Sequence, residues 1–206
     1  TPLYSSAASD VYKRQVRAVL AKYETPIFHA VRTGWDDWRA LRLGGRLLFP
    51  ARSRACLVYD FIVQRATTAF AGDKAVHVLK RNETFKFVFD DTVALRFKKA
   101  AGNGLGSNIH TQSTLDFVDQ EQELPGFPGV HKVEAVYALN PLQTHVDQVL
   151  IAARDGDVCL WNYVLTPDTT AEIVPLPLLS AVDTERGARV KLRGGDERQK
   201  KETDGK

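Results

Sequence analysis

The chain contains no methionine, and its only cysteines, Cys56 and Cys159, stand about a hundred residues apart. Two thiols at that separation build neither a disulfide framework nor a zinc site, so a reducing cytoplasm is the expected setting. With no methionine the chain has no initiator, which reads as a fragment or a processed product. No run of about 18 apolar residues occurs, so no membrane helix and no membrane partner are expected. A basic start, apolar stretch and small-residue cleavage site are also missing, so no secretory signal is read. His29, His77, His110, His131 and His145 form no His-Glu-x-x-His helix and no ligand pair at metal spacing. They read as surface or boundary residues. No Gly-x-Ser-x-Gly elbow appears. Cys56 and Cys159 read as structural thiols. No catalytic residue, metal or cofactor is implied, and the expectation leans away from an enzyme.

What is present is 206 residues with 44% hydrophobic content, enough for one domain with a proper core. Both ends look separable. Residues 183–206 hold eight Lys/Arg and six Asp/Glu with little apolar content. Such a segment cannot bury enough surface to order itself, and the Pro175-Leu-Pro177 stretch precedes it. Residues 1–15 include Ser9-Asp-Val-Tyr-Lys-Arg-Gln15. They resemble a translated sequencing-adapter read-through at the ends of metagenomic open reading frames, which implies a non-native leader. The alternative is a native helix start capped by Ser9. The domain is thus expected over 16–182.

Charge divides unevenly within that domain. Residues 16–99 carry sixteen Lys/Arg and eight Asp/Glu, and residues 100–182 carry two Lys/Arg and ten Asp/Glu. The halves are therefore +8 and −8. A basic half can mark a surface for nucleic acid or an acidic protein partner. Equally, the halves can pack together and neutralise each other, or copies can associate head to tail.

Apolar spacing places helices first. Val16, Val19, Leu20 and Tyr23 recur at helical intervals, and Thr25-Pro26 restarts a short helical segment. Thr33-Gly-Trp-Asp36 reads as a capping box for a further helix that ends at Gly44-Gly45. Residues 50–71 form the clearest helix, with Ala55, Val58, Tyr59, Ile62, Ala66, Ala69 and Phe70 in one stripe. Strands follow at 75–80, around Phe85-Phe87-Phe89, and around Val93-Leu95-Phe97. A two-residue turn at Asp90-Asp91 would put the phenylalanines on the opposite face from Val93, Leu95 and Phe97. A three-residue loop, Asp90-Asp91-Thr92, opposes Phe89 to Val93, Phe87 to Leu95 and Phe85 to Phe97, and buries all six together. A helix at about 111–120 with Leu115 and Val118 inward comes next, then a meander at about 132–139, 146–154 and 157–165. Asp155-Gly156 is a turn signal that pairs Ile151 with Leu160 and Leu150 with Trp161. The order ααα-βββ-α-βββ implies an α+β fold, a mostly antiparallel sheet packed on helices.

The hairpin register has a chemical consequence. It sets Lys86 opposite Arg96 on the outer face, with Lys98 beside them, and like charges directly opposite are destabilising. A carboxylate or an anionic ligand should offset them; Glu134, on a later strand, is the internal alternative. Arg52, Arg54, Lys86, Arg96 and Lys98 are the candidate contacts to nucleic acid or another anion. Trp35 and Trp38, among Arg32, Arg39, Arg42, Arg46, Arg52 and Arg54, are placed either to stack bases or to fill the core.

A second candidate is Gly102-x-Gly104-x-Gly106-Ser107, between a strand and a helix, in the general context of a phosphate cradle. It fits neither the Walker A lysine motif nor the dinucleotide fingerprint, and a plain glycine connector explains it as well. The order of helix, three strands, helix and strand is similar in outline to restriction-type nucleases. Their metal chemistry needs a carboxylate where this chain has Arg96-Phe97-Lys98, so the likeness implies at most an inactive, DNA-binding derivative. Arg52-x-Arg54-Ala, Leu95-Arg-Phe-Lys-Lys99 and Ser107-Asn-Ile-x-Thr-Gln112 resemble segments of uncharacterised bacterial and phage proteins near repressor-type regulators, over roughly residues 50–165. That resemblance carries no known activity. Three readings stand: a non-enzymatic binding module for nucleic acid or an acidic partner, a phosphate- or nucleotide-binding enzyme, and an antitoxin-like regulatory subunit.

Overall fold

Helix-spaced apolar residues dominate up to Phe70, and alternating ones dominate after it. The computed structural model, which describes residues 6–44, 49–81, 84–109 and 111–166, divides at that point. Helix α1 (Ser6–Leu20) buries Val16 and Leu20 completely. It begins inside the segment read as a leader, and Ser9 lies within it, its Oγ donating to the Leu160 carbonyl at 3.1 Å. One 3-10 turn (Ala21–Tyr23) leads into α2 (Glu24–Gly44).

The two helices expected from Thr25 and Thr33 are one. Pro26 falls in the first turn of α2, where a missing N–H costs nothing. Thr33 caps no helix; its Oγ1 donates back to the His29 carbonyl at 2.6 Å. A hydroxyl in a running helix finds the carbonyl one turn earlier, and the capping geometry requires a non-helical residue. Helix α3 (Ala51–Ala69) turns Val58, Ile62, Val63 and Ala66 inward, with Phe70 just beyond it. Its stripe is narrower than expected, since Ala69 is exposed and Ala55 and Tyr59 are half-buried.

Six strands make one sheet in chain order: β1 (Val76–Arg81), β2 (Thr84–Phe89), β3 (Val93–Lys99), β4 (His131–Leu139), β5 (Val146–Asp155) and β6 (Val158–Val164). Neighbours are antiparallel except β3 and β4, which run parallel. A parallel pair needs a crossover, and residues 100–130 provide it, carrying α4 (Gln112–Val118). The class is α+β with a mostly antiparallel sheet.

The β2–β3 hairpin has the odd-loop register, Phe89 with Val93 and Phe87 with Leu95. Asp90 and Asp91 take positive φ of 48° and 51° to close it. The β5–β6 register differs from expectation: Ile151 faces Tyr163 and Leu150 faces Val164. Asp155 pairs with Val158, so the turn is Gly156-Asp157, and an irregularity at Ala153–Arg154 takes up a further residue on β6. That shift brings Trp161 and Tyr163 to the core, both 9% exposed. Helix α4 is shorter than expected and turns Phe117 and Val118 inward, leaving Leu115 exposed. It stops where Asp119 becomes extended.

The sheet is covered on both faces. Phe87, Phe89, Leu95, Phe97, Ala135, Tyr137 and Ile151 join the three long helices in the main core. Trp35 and Trp38 belong to that core, with ring centroids 4.7 Å apart, and neither is available to stack a base. On the other face the crossover closes two smaller clusters, one of Val88, Ala94, Phe117, Leu124 and Val130, the other of Leu105, Val136 and Ala152. Among the described residues no helix is long and apolar enough to cross a membrane. Gly45, the Pro175–Pro177 stretch and the segment 183–206 lie outside the described residues.

Candidate functional site

Alternation along β3 sends Arg96 and Lys98 to the crossover face, and the parallel register puts Arg96 beside Glu134 of β4. Arg96 Nη2 and Nε donate to Glu134 Oε1 at 2.6 and 3.0 Å, and the two side chains are 2% and 1% exposed. Asn108 joins them, accepting from Arg96 Nη2 at 3.1 Å. The Arg96 guanidinium lies 4.3 Å from the centre of the Phe117 ring. Arg154 of β5 reaches the same carboxylate, 3.7 Å from Oε2, and donates to the Gly106 carbonyl at 3.1 Å. Glu134 is thus the internal counter-charge for Arg96, and Arg96 is not a surface contact. Burial, the largest influence, holds the Arg96 pKa below the usual arginine value, with Glu134 acting the other way.

The glycine segment does cradle an anion, but that anion is the protein's own. The Gly106 amide donates to Glu134 Oε2 at 3.2 Å. The Gly104 amide donates to the Ala101 carbonyl, that of Leu105 to Asn103 Oδ1, and that of Ser107 to the Lys99 carbonyl. Gly102 and Gly104 are exposed, and a Cβ on either would meet nothing within 4 Å. The amides of Gly104, Leu105, Gly106 and Ser107 are thus each taken up by an acceptor within the fold.

The five candidate cations do not share one face of the sheet. Lys86 and Lys98 are half-buried on the crossover face, and Arg96 is sealed beneath it. Burial, with Arg96 next, pushes Lys98 down to about 8. Arg52 and Arg54 sit on the opposite side, at the start of α3. Arg54 donates to Gln143 Oε1 from the β4–β5 turn and lies 6.0 Å from the Trp38 ring centre. Its charge also bears on Lys99, which burial already holds below the usual lysine range.

A different grouping emerges from strand direction. The ends of β3 and β4, the starts of β5 and α3, and the end of β1 lie at one end of the sheet. Arg52, Arg54, Lys98, Lys99 and Arg81 belong to that end, and Arg32 joins it by donating to the Val146 carbonyl. The connections there, 99–109 and 140–145, contain no Asp or Glu. Asp147 is an exposed carboxylate at that end, and Asn82 and Glu83 lie outside the described residues. At the opposite end stand Asp90 and Asp91 in the β2–β3 turn, Asp155 and Asp157 at the β5–β6 turn, and Asp119, Glu121 and Glu123 on the approach to β4. The two ends of the sheet therefore differ in charge, with Asp90 and Asp91 of the basic half at the acidic end and Lys22 and Arg154 paired there with Asp90 and Asp157. Arg96–Glu134 bridges the halves, whereas Lys22–Asp90, Arg65–Asp37 and Arg154–Asp157 each lie within one. Sequence spacing alone did not reveal Lys99 as part of the basic end, because that requires the strand order.

Among the described residues no group of three or more His, Cys, Asp or Glu is placed to hold a metal ion. Compared with known proteins, the chain matches no family model, no curated protein and no solved structure.

Proposed function

We propose that this chain is a non-enzymatic binding module that engages nucleic acid through the basic end of its sheet. The observation that carries this reading is the end-to-end segregation of charge. Arg52, Arg54 and Lys99 flank two connections free of carboxylates, with Leu142 and Ile109 exposed nearby at 81% and 78%. A polyanion gains from such a surface by releasing counterions, with little dependence on sequence. The reading places Arg52 and Arg54 among the contacts, adds Lys99, and leaves Arg96 to the interior.

The test is fluorescence anisotropy of the full chain with duplex DNA and with single-stranded RNA across a salt series. Binding should weaken steeply with salt. Arg52→Gln and Lys99→Gln should each lower the logarithmic salt slope by about 1. Arg65→Gln, on the outer face of α3 and paired with Asp37, should leave it unchanged. Absence of binding to either nucleic acid at low salt sinks the proposal. Binding to an acidic polypeptide alone would redirect it to a protein partner.

A further inference from the structure

Between the edge hairpin β1–β2 and α4 lies a cleft of about 380 Å³. Its sheet wall carries Arg81 and Lys86, its opposite wall Asp116 and Glu123, and Phe117 and Leu124 supply apolar surface. Lys86 is half-buried, with its ammonium 5.2 Å from the Phe117 ring centre. It has no hydrogen bond or ion pair to a described residue. Burial pushes its pKa down, Arg96 and Arg81 add to that, and Asp116 acts the other way.

The other lysine of the cleft, Lys132, is differently placed. Lys132 Nζ donates to the Asp116 carbonyl at 3.0 Å, to that of Gln122 at 2.6 Å, and to that of Asp119. Its donors are spent on the end of α4, which fixes the acidic wall. On that wall Asp116 Oδ1 accepts from Gln112 at 2.7 Å, and Glu123 is exposed.

The two walls therefore demand different things of a ligand. An ammonium held against like charges favours an incoming anion. Two facing carboxylates repel a polyanion, and this acts as selection against phosphate. A molecule that bears a carboxylate and an ammonium a few atoms apart meets both walls, and the Phe117 and Leu124 surface accepts a short side chain. We propose that this cleft binds a small zwitterion of the amino-acid or dipeptide class, with its carboxylate on Arg81 and Lys86 and its ammonium toward Asp116 and Glu123.

The experiment is calorimetric titration of the full chain with L-glutamine, glycylglycine, acetate, methylammonium and inorganic phosphate. At least one of the two zwitterions should bind about tenfold more tightly than acetate or methylammonium. Lys86→Gln should weaken that zwitterion about tenfold. Asp116→Asn should weaken it too, yet strengthen acetate, a reversal that a general loss of structure does not produce. Thermal melting of both variants checks folding. The proposal is overturned if neither zwitterion binds, if phosphate or acetate binds the unmodified chain most tightly, or if Lys86→Gln binds the zwitterion as well as the parent does.

Discussion

Gly106 and Glu134 are in such close contact that no side chain fits between them. The glycine amide donates to Glu134 Oε2 at 3.2 Å, and a Cβ on the glycine would lie 2.4 Å from that oxygen. The same Cβ would lie 2.7 Å from Cβ of Lys98. The crossover is pressed onto the sheet here because the buried carboxylate takes a backbone N–H as one of its partners.

Gly106→Ala should therefore destabilise the fold by about 2–3 kcal/mol, since neither the carboxylate nor the strand beneath it can give way cheaply. Gly102→Ala is the control. Nothing lies within 4 Å of its Cβ position, and the change should stay within about 0.5 kcal/mol. Urea unfolding of the two variants tests the contrast, and equal midpoints would remove Gly106 from the account.

Glu134 serves two guanidiniums, so its loss should cost more than the loss of either. Arg96→Met leaves the carboxylate with Arg154 and the Gly106 amide. Glu134→Gln leaves two buried cations without their shared counter-charge. Breaking a buried pair from one side typically costs about 3–5 kcal/mol, whereas replacing both partners by apolar residues costs far less. Denaturant unfolding should rank Glu134→Gln as the most destabilised, and Arg96→Met with Glu134→Leu as less destabilised than Glu134→Gln, since the double variant displaces Arg154 alone, which keeps Asp157. A double variant weaker than both singles would contradict this.

What could be read from residues alone, and what could not, follows from how local each constraint is. The β2–β3 register was legible because a one-residue slip would move Phe87 and Phe89 away from Leu95 and Val93, and period two ties register to burial. The β5–β6 register was not, because Asp155-Gly156 and Gly156-Asp157 are both good turns and only the seating of Trp161 and Tyr163 decides between them. Thr33 and Asp36 have the residue types of a capping box. Whether the chain is already helical at Thr33 depends on packing against α3, which those types do not encode. Lys86 facing Arg96 pointed correctly to a needed counter-charge, and Glu134 was one of two answers for Arg96. That the glycine segment would cradle that same carboxylate depends on a contact 28 residues along the chain.

Gly34 shows packing overriding propensity. It sits inside α2, where Ala is intrinsically better by about 1 kcal/mol. Yet a Cβ there would lie 2.7 Å from the backbone N and 2.8 Å from Cα of Ile62 in α3. Backbone of a packed helix cannot swing aside as a flexible side chain does. Gly34→Ala should therefore lower stability, by about 1–3 kcal/mol net, with a lower thermal midpoint. A raised midpoint would show that the two helices can separate at no cost.

Lys98 gives the fold a signed response to pH. Burial, followed by Arg96, holds its pKa at about 8, below the ordinary lysine value of 10.5. From about pH 8 to 10.5 the unfolded chain binds the proton more firmly than the folded one, so this group's contribution to stability rises with pH across that window. Below it, the folded state carries the full cost of a partly buried ammonium. Lys86 and Lys132 are displaced in the same direction, each chiefly by burial. Tyr137 and Tyr163 are displaced upward by burial, so above about pH 10 the unfolded chain loses their protons first and stability falls again. Unfolding free energy should therefore climb from pH 8 toward pH 10 and then decline. Lys98→Met should be more stable than the parent at pH 7, and its advantage should shrink as pH rises through that window. An advantage that stays constant from pH 7 to pH 10 would mean that the Lys98 ammonium is as well solvated in the fold as in the unfolded chain.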